Sequence, residues 1–171
     1  MTVYLDMDGV IADFFDGFAK AFGKDHWKMI EDKEKSIVKL QGTDFFNTLE
    51  LFPTSEALVN FVRDRGHQNR SGDWGICSSP LRGDRDNSAY WKRVWLTRHG
   101  FLPPIEKLIF TGQKERYATE RFSGVPNILV DDKPDNISRW ISKGGIGILY
   151  QANECTLEYV KQEIENAIRN I

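Results

Sequence analysis

The chain has 171 residues, with 23 Lys plus Arg against 25 Asp plus Glu and a formal charge of −2. That balance excludes a strongly basic chain built around nucleic acid, so stable nucleic-acid binding is not expected. Hydrophobic residues at 40% and charged residues at 28% exclude a disordered or collagen-like chain. At this length about 70% of the unfolded surface is buried on folding, enough for one core without disulfide or metal staples.

In chain order, Val3 to Leu5 is a short apolar, β-prone run. Residues 16–53 carry no convincing buried strand. They are aromatic at their edges and charged in the middle, at Glu31-Asp32-Lys33-Glu34-Lys35. This predicts a small, mainly helical insert whose charge run is a solvated helix face. Ser55 to Arg65 places Leu58, Val59, Phe61 and Val62 at helical spacing, and Trp74 to Cys77 is a second strand-like run. Ser88 to His99 is helical, with Tyr90, Trp91, Val94 and Trp95; Leu108 to Phe110 and Ile128 to Val130 are further strands. Pro134 to Lys143 opens on a proline suited to a first helical turn. Ile146 to Tyr150 is the last strand. Cys155 to Ile168 closes the chain as a helix with one apolar face. Apolar runs without polar alternation suit buried parallel strands, and their alternation with helices predicts an α/β domain with a parallel sheet. Residues 1–15 and 54–171 form the expected core, with 16–53 inserted into it.

No apolar run approaches the roughly 20 residues of a membrane helix. Polar residues follow the start at once, so neither a leader nor a membrane is expected, and a cytoplasmic setting is. Cys77 and Cys155 show no metal-ligand spacing and read as two reduced, buried thiols.

The chemistry gathers at strand ends. Asp6-Met7-Asp8-Gly9-Val10 directly follows the first strand, where an open α/β sheet binds its ligands. Val130-Asp131-Asp132-Lys133-Pro134-Asp135 repeats the pattern after a later strand. Carboxylates brought together disfavour joint ionisation, and a hard divalent cation resolves the conflict; oxygen ligands with few or no histidines point to Mg2+. Capping of the following helix by Asp131 or Asp132, and dipole complementation by Asp135, are the bland alternatives. Cys77-Ser78-Ser79-Pro80 ends the second strand with hydroxyls and free N–H groups suited to a phosphate oxygen. Gly112-Gln113-Lys114 follows the third with a compact cation able to neutralise phosphoryl charge. Each of these two is weak alone.

In this order the motifs resemble those of the haloacid dehalogenase-like (HAD) superfamily. Asp6-Met7-Asp8-Gly9-Val10-Ile11-Ala12-Asp13-Phe14, Ile76-Cys77-Ser78-Ser79-Pro80, Ile109-Phe110-Thr111-Gly112-Gln113-Lys114 and Ile128-Leu129-Val130-Asp131-Asp132-Lys133-Pro134-Asp135 are similar to the 5′(3′)-deoxyribonucleotidase group, the third most loosely. The resemblance implies a Rossmann-like parallel sheet with a small helical cap inserted after the first motif. It also implies Mg2+-dependent hydrolysis of (deoxy)ribonucleoside monophosphates, a small-molecule nucleotide substrate and a homodimer.

Residue by residue, the resemblance makes Asp6 the nucleophile and Asp8 the acid and base. Asp132 is the metal ligand, with Asp131 direct or through water, alongside Asp6 and the backbone carbonyl of Asp8. Ser78 and Ser79 hold the phosphoryl group, and Lys114 aligns it. Phe14 packs on the base. Phe15, Phe18, Phe22, Trp27, Phe45, Phe46 and Phe52 read as the cap's own core. Lys92 matches a phosphate-side lysine or is an exposed one; Arg82 divides the same way. His26, His67 and His99 fit no motif. Ser78 stands where the group more often has Thr, and Gln113 where it often has an acid. Other readings are a phosphatase for sugar phosphates or for 3′-phosphate DNA ends, the latter served by Arg63, Arg65, His67 and Arg70, and a non-catalytic nucleotide-binding relic.

Overall fold

The computed structural model describes the backbone of residues 1–68 and 73–171. Among these residues five strands, β1 (Thr2–Leu5), β2 (Asp73–Ser78), β3 (Leu108–Phe110), β4 (Ile128–Asp131) and β5 (Ile146–Leu149), form one parallel sheet in the order β3-β2-β1-β4-β5. Register is set by pairs such as Leu5 with Ile76 and Leu5 with Val130. β1, β2 and β4 are almost wholly buried, which explains their unbroken apolar sequences. The order reverses at β1, so the crevice beyond the carboxyl ends of β1, β2 and β4 is a topological switch point.

Among the described residues six helices complete the fold: α1 (Phe14–Ala21), α2 (Lys33–Val38), α3 (Ser55–Gln68), α4 (Arg85–Arg98), α5 (Pro134–Ser142) and α6 (Leu157–Arg169). α5 begins at the proline that sequence singled out, and Thr156 caps α6 by accepting from the Tyr159 amide. α4 starts three residues before the sequence-based expectation. Gly83-Asp84-Arg85 reads locally as loop, but the Ser88 hydroxyl donates to the Asp84 carbonyl and accepts from the Leu81 amide, tying that turn into the helix. β2 and β4 run on to Ser78 and Asp131, so these two side chains leave from regular strand ends.

Apolar packing falls on two faces of the sheet. Tyr4, Cys77, Leu129, Ile137 and Trp140 fill one. Leu5, Ile76, Val130, Trp95 and Ile164 fill the other, and there Phe18, Ile30, Leu40, Phe45, Phe46 and Leu49 from the inserted segment join the same cluster. The insert leaves and rejoins the core side by side: Ala12 bridges Leu51, and the Asp13 amide donates to the Glu50 carbonyl. Between them lie α1, α2 and two 3-10 turns, Trp27–Met29 and Phe45–Asn47. Gly17 lets α1 approach Leu49 closely; a Cβ there would sit 2.4 Å from a Leu49 methyl.

Among the described residues no helix is long and apolar enough to cross a membrane. Cys77 is buried, whereas Cys155 is only partly so, because it precedes the Thr156 cap at the surface; both are free thiols. Burial pushes the Cys77 thiol up to about 12, which leaves it an inert core group.

Candidate active site

The sheet ladder continues past the last regular residue of β1. The Asp6 amide donates to the Val130 carbonyl at 2.9 Å, which fixes Asp6 beside the start of the Asp131-Asp132 pair. The chain then folds tightly: the amides of Val10, Ile11 and Ala12 all donate to the Met7 carbonyl, and Met7, Val10, Ile11 and Ala12 are fully buried. Gly9 makes this turn possible at φ +79°, and its missing side chain leaves room for Asp132, whose Oδ2 would lie 2.6 Å from a Cβ.

Lys114, in the 3-10 turn Lys114–Tyr117 after β3, is 1% exposed and reaches between two carboxylates. Its Nζ lies 2.9 Å from Asp6 Oδ2 and 2.6 Å from Asp131 Oδ2. Burial opposes the charge on Asp6, but Lys114 and Lys92 outweigh it and hold the carboxyl below the usual range. Burial also opposes the charge on Lys114, and Asp6 and Asp131 overcome it, so the ammonium is held more firmly than in water. Asp6 is therefore an ionised carboxylate in a dry, structured setting.

Lys92 reaches the same floor from α4. It is fully buried, and its Nζ donates to Asp8 Oδ2 at 2.7 Å, to Ser78 Oγ at 3.0 Å and to the Ser79 carbonyl at 2.9 Å. Of the two locations open from sequence, the exposed one does not occur: α4 turns this residue inward, between a cap ring and the strand ends. The Phe46 ring covers the ammonium at 4.7 Å. Arg82, by contrast, is exposed, and its backbone carbonyl accepts from the Gln41 amide.

The acidic cluster fits a hard cation. Asp6, Asp131 and Asp132 each offer a carboxylate oxygen within 4.8 Å of the others. Asp132 Oδ1 is buried with no hydrogen-bond partner, an arrangement that costs free energy unless a cation meets it. Burial first, then the charges of Asp6 and Asp131, push the Asp132 carboxyl up to about 8. Asp131 differs. Its Oδ1 accepts from the Lys133 amide and Asn136, and its Oδ2 from Lys114 and Asn136. Asp131 is thus occupied in holding Lys114, while Asp132 has an oxygen free for a ligand. The Asp8 side chain stands outside this oxygen cluster, engaged by Lys92. Asp135 is exposed in the first turn of α5, where it complements the helix dipole.

Beside the acids lies a cavity of about 180 Å³, lined by Asp8, Phe14, Phe15, Phe18, Trp27, Lys33, Ile37, Asp132 and Lys133. Phe14 stacks on Phe18 with centroids 5.3 Å apart, and Phe15 leans on Trp27 at 5.3 Å. The aromatic stripe of the cap therefore divides. Phe18, Phe45 and Phe46 are buried core, while Phe14, Phe15 and Trp27 stay half-exposed as cavity wall. Phe22 is half-buried against the core, and Phe52 is buried.

Sequence reasoning missed Asn136, which carries no motif of its own and lies five positions after Asp131, in the first turn of α5. It also missed Lys33 and Lys133 as cavity-lining cations. Lys33 sits in the charge run read as a solvated face; its ammonium instead turns back to the Ile30 carbonyl at 3.1 Å and over the Trp27 ring at 5.6 Å. Its neighbours Glu31, Asp32, Glu34 and Lys35 are exposed as expected. His26 caps the turn at Trp27 through its ring nitrogen, and His99 packs on Trp95. Of the basic group, Arg63 binds the Gly100 carbonyl and Arg65 pairs with Glu165; the His67 side chain and Arg70 lie outside the described residues.

No family model matches the chain. It is 27% identical over 156 residues to the mitochondrial 5′(3′)-deoxyribonucleotidase of Mus musculus, a match covering 79% of this chain and 66% of that protein. Identity to the Homo sapiens protein of the same name is 26%, covering 79% of this chain and 63% of that one. The chain thus spans just under two thirds of the length of these relatives. Its fold is similar to that of a hydrolase from Streptococcus pneumoniae TIGR4, with a TM-score of 0.60, 10% identity and coverage of 96% and 97% of the two chains. It is also similar to the HAD domain of the effector protein Lem4 from Legionella pneumophila, with a TM-score of 0.51, 13% identity and coverage of 97% and 93%. The fold is that of the haloacid dehalogenase-like proteins.

Proposed function

We propose that this protein is a magnesium-dependent phosphomonoesterase that hydrolyses deoxyribonucleoside or ribonucleoside monophosphates through an aspartyl-phosphate on Asp6. One observation carries the reading. An ionised, lysine-held Asp6 and the carboxyl group of Asp8 sit at the floor of a cleft whose adjoining cavity is walled by Phe14, Phe15 and Trp27. Carboxylates and ammonium groups serve phosphoryl transfer, and flat apolar walls accept a nucleobase.

Asp132, Asp6 and the Asp8 carbonyl are the groups that would hold magnesium, with Asp131 behind them. When bound, the ion supplies Lewis-acid neutralisation of phosphoryl charge. The chain's own residues do the rest. An Asp6 oxygen attacks phosphorus as the ester P–O bond breaks, and Asp8 gives its proton to the departing sugar oxygen. Asp8 then takes a proton from water as that water attacks phosphorus, the Asp6–phosphorus bond breaks, and orthophosphate leaves with Asp6 restored. Lys114 keeps Asp6 ionised and in line. Ser78 and Ser79 offer donors to phosphoryl oxygens.

Phosphate release tests this on a panel of 5′- and 3′-nucleoside monophosphates, sugar phosphates and a 3′-phosphate oligonucleotide, with magnesium and with EDTA. Release from nucleotides, dependent on magnesium and reduced about 10⁴-fold or more in Asp6→Asn, is the expected result. Turnover of sugar phosphates or the oligonucleotide alone would keep the chemistry and overturn the substrate class.

A further inference from the structure

Two lysines enter the acidic floor, and their hydrogen bonding separates their work. Lys114 joins Asp6 to Asp131. Lys92 joins Asp8 to the β2 end, and its three N–H bonds are all engaged, by Asp8 Oδ2, Ser78 Oγ and the Ser79 carbonyl. An ammonium has three donors and no acceptor, so none is left for a phosphoryl oxygen. From this geometry we infer that Lys92 is the positioning residue for Asp8 and Ser78, not a ligand of the phosphate. The inference rests on the phosphomonoesterase reading above and assigns the division of labour within it.

The free atoms left by Lys92 are the ones the reaction needs. It binds Asp8 through Oδ2, while Oδ1 of the same carboxyl is buried and without a partner, on a residue that lines the cavity. Oδ1 is thus the oxygen available to move a proton to or from the reacting oxygen. Ser78 Oγ accepts from Lys92, so its own hydrogen is left to serve the Asp6 carboxylate beside it. Lys92 is itself held from several sides. It is fully buried, Phe46 covers it at 4.7 Å, and one turn further along α4 the Trp95 indole donates to the Leu49 carbonyl at 2.7 Å. Phe46 and Leu49 belong to the inserted cap, so the seat of the cap and the orientation of Asp8 share one support. Ordering a proton-transfer group through locked neighbours is a recurrent requirement of catalytic sites.

The test separates leaving groups. A sugar alkoxide needs a proton to depart, whereas p-nitrophenolate does not. kcat/KM reports only the steps up to leaving-group departure, so the later attack of water does not enter. Lys92→Met is expected to lower kcat/KM on a deoxyribonucleoside monophosphate about 10²-fold, the size of a general-acid contribution. The loss on p-nitrophenyl phosphate should be about tenfold smaller, what remains of it coming from the support Lys92 also gives Asp6 and Ser78. Equal losses on both substrates with weaker inhibition by phosphate would make Lys92 a phosphate ligand and overturn the assignment. Equal losses with inhibition unchanged would make it merely structural, and overturn it too. Should Lys92→Met fail to fold, Asp8→Asn and the double variant Asp8→Asn/Lys92→Met carry the test, since the pair leaves no uncompensated carboxylate. If Lys92 acts through Asp8, the second change adds no more loss on the nucleotide than on p-nitrophenyl phosphate; a greater one overturns the assignment. A wild-type chain inactive on both substrates would sink the phosphomonoesterase reading itself.

Discussion

The floor of the cleft and its aromatic wall stand side by side and are held by different forces. On the floor, Lys114 meets Asp6 at 2.9 Å and Asp131 at 2.6 Å, and all three side chains are at most 6% exposed. Directional bonds in a dry setting admit one arrangement, and strand ends supply the rigid base for it. On the wall, half-exposed Phe14 and Phe15 meet edge-on with centroids 6.3 Å apart, carried by α1, a helix of eight residues. Apolar contact is non-directional and tolerates many shapes. The comparison teaches that the chemistry is anchored where any shift would strand a charge. On the proposed function, selectivity falls to the wall, where side chains can be exchanged at small loss.

The largest break in this contrast is Lys114→Met. It leaves Asp6 and Asp131 buried without their shared cation and is expected to destabilise the fold by about 3–5 kcal/mol, read by denaturant unfolding. A loss of the size seen at an exposed ion pair would mean the floor is as adaptable as the wall.

Asp132 sharpens the comparison, because it is the floor group without a protein cation. Its carboxyl is raised from the usual 3.8 to about 8, so between those values the folded chain holds a proton that the unfolded chain has released. Stability of the metal-free protein should therefore fall as pH rises through that window, and added magnesium should restore it at the alkaline end. Thermal unfolding in EDTA and in magnesium, at about pH 5 and about pH 8, checks both signs. A melting temperature that climbs with pH in EDTA would remove Asp132 from the role of cation seat.

Changes on the wall are expected to be milder and confined to binding. Phe14→Ala should weaken nucleotide binding by about 1–3 kcal/mol, seen as a raised KM, and spare p-nitrophenyl phosphate, which has no base to stack. Equal effects on both substrates would make Phe14 part of the cap core alone. Smallest of all is Phe122→Ser. That ring is 96% exposed, and its loss should stay within about 0.5 kcal/mol by the same unfolding measurement.

Much of this was legible in the sequence. Strands two and four were visible as Trp74 to Cys77 and Ile128 to Val130 because buried parallel strands lack alternation. Asp6, Asp8, Asp131 and Asp132 stood out because each follows an apolar run, and only the resemblance of the ordered motifs joined Ser78 and Lys114 to them. The inserted segment showed itself only as a gap between such runs. Its short helices, six residues in α2, carry little periodicity, and half of its aromatics face a cavity and half a core with no local sign of which.

By itself, the sequence determined which residue types stand at the carboxyl ends of the strands, since short apolar runs and the polar residues after them are local patterns. Only the tertiary structure decided which cation serves which carboxylate. Lys92 lies 84 positions from Asp8 and Lys114 lies 17 from Asp131, and nothing in either neighbourhood names its partner. The pairing follows from how α4 is rotated against the sheet and how the turn after β3 folds back. Charges in a dry interior pair with whatever the packing brings within reach.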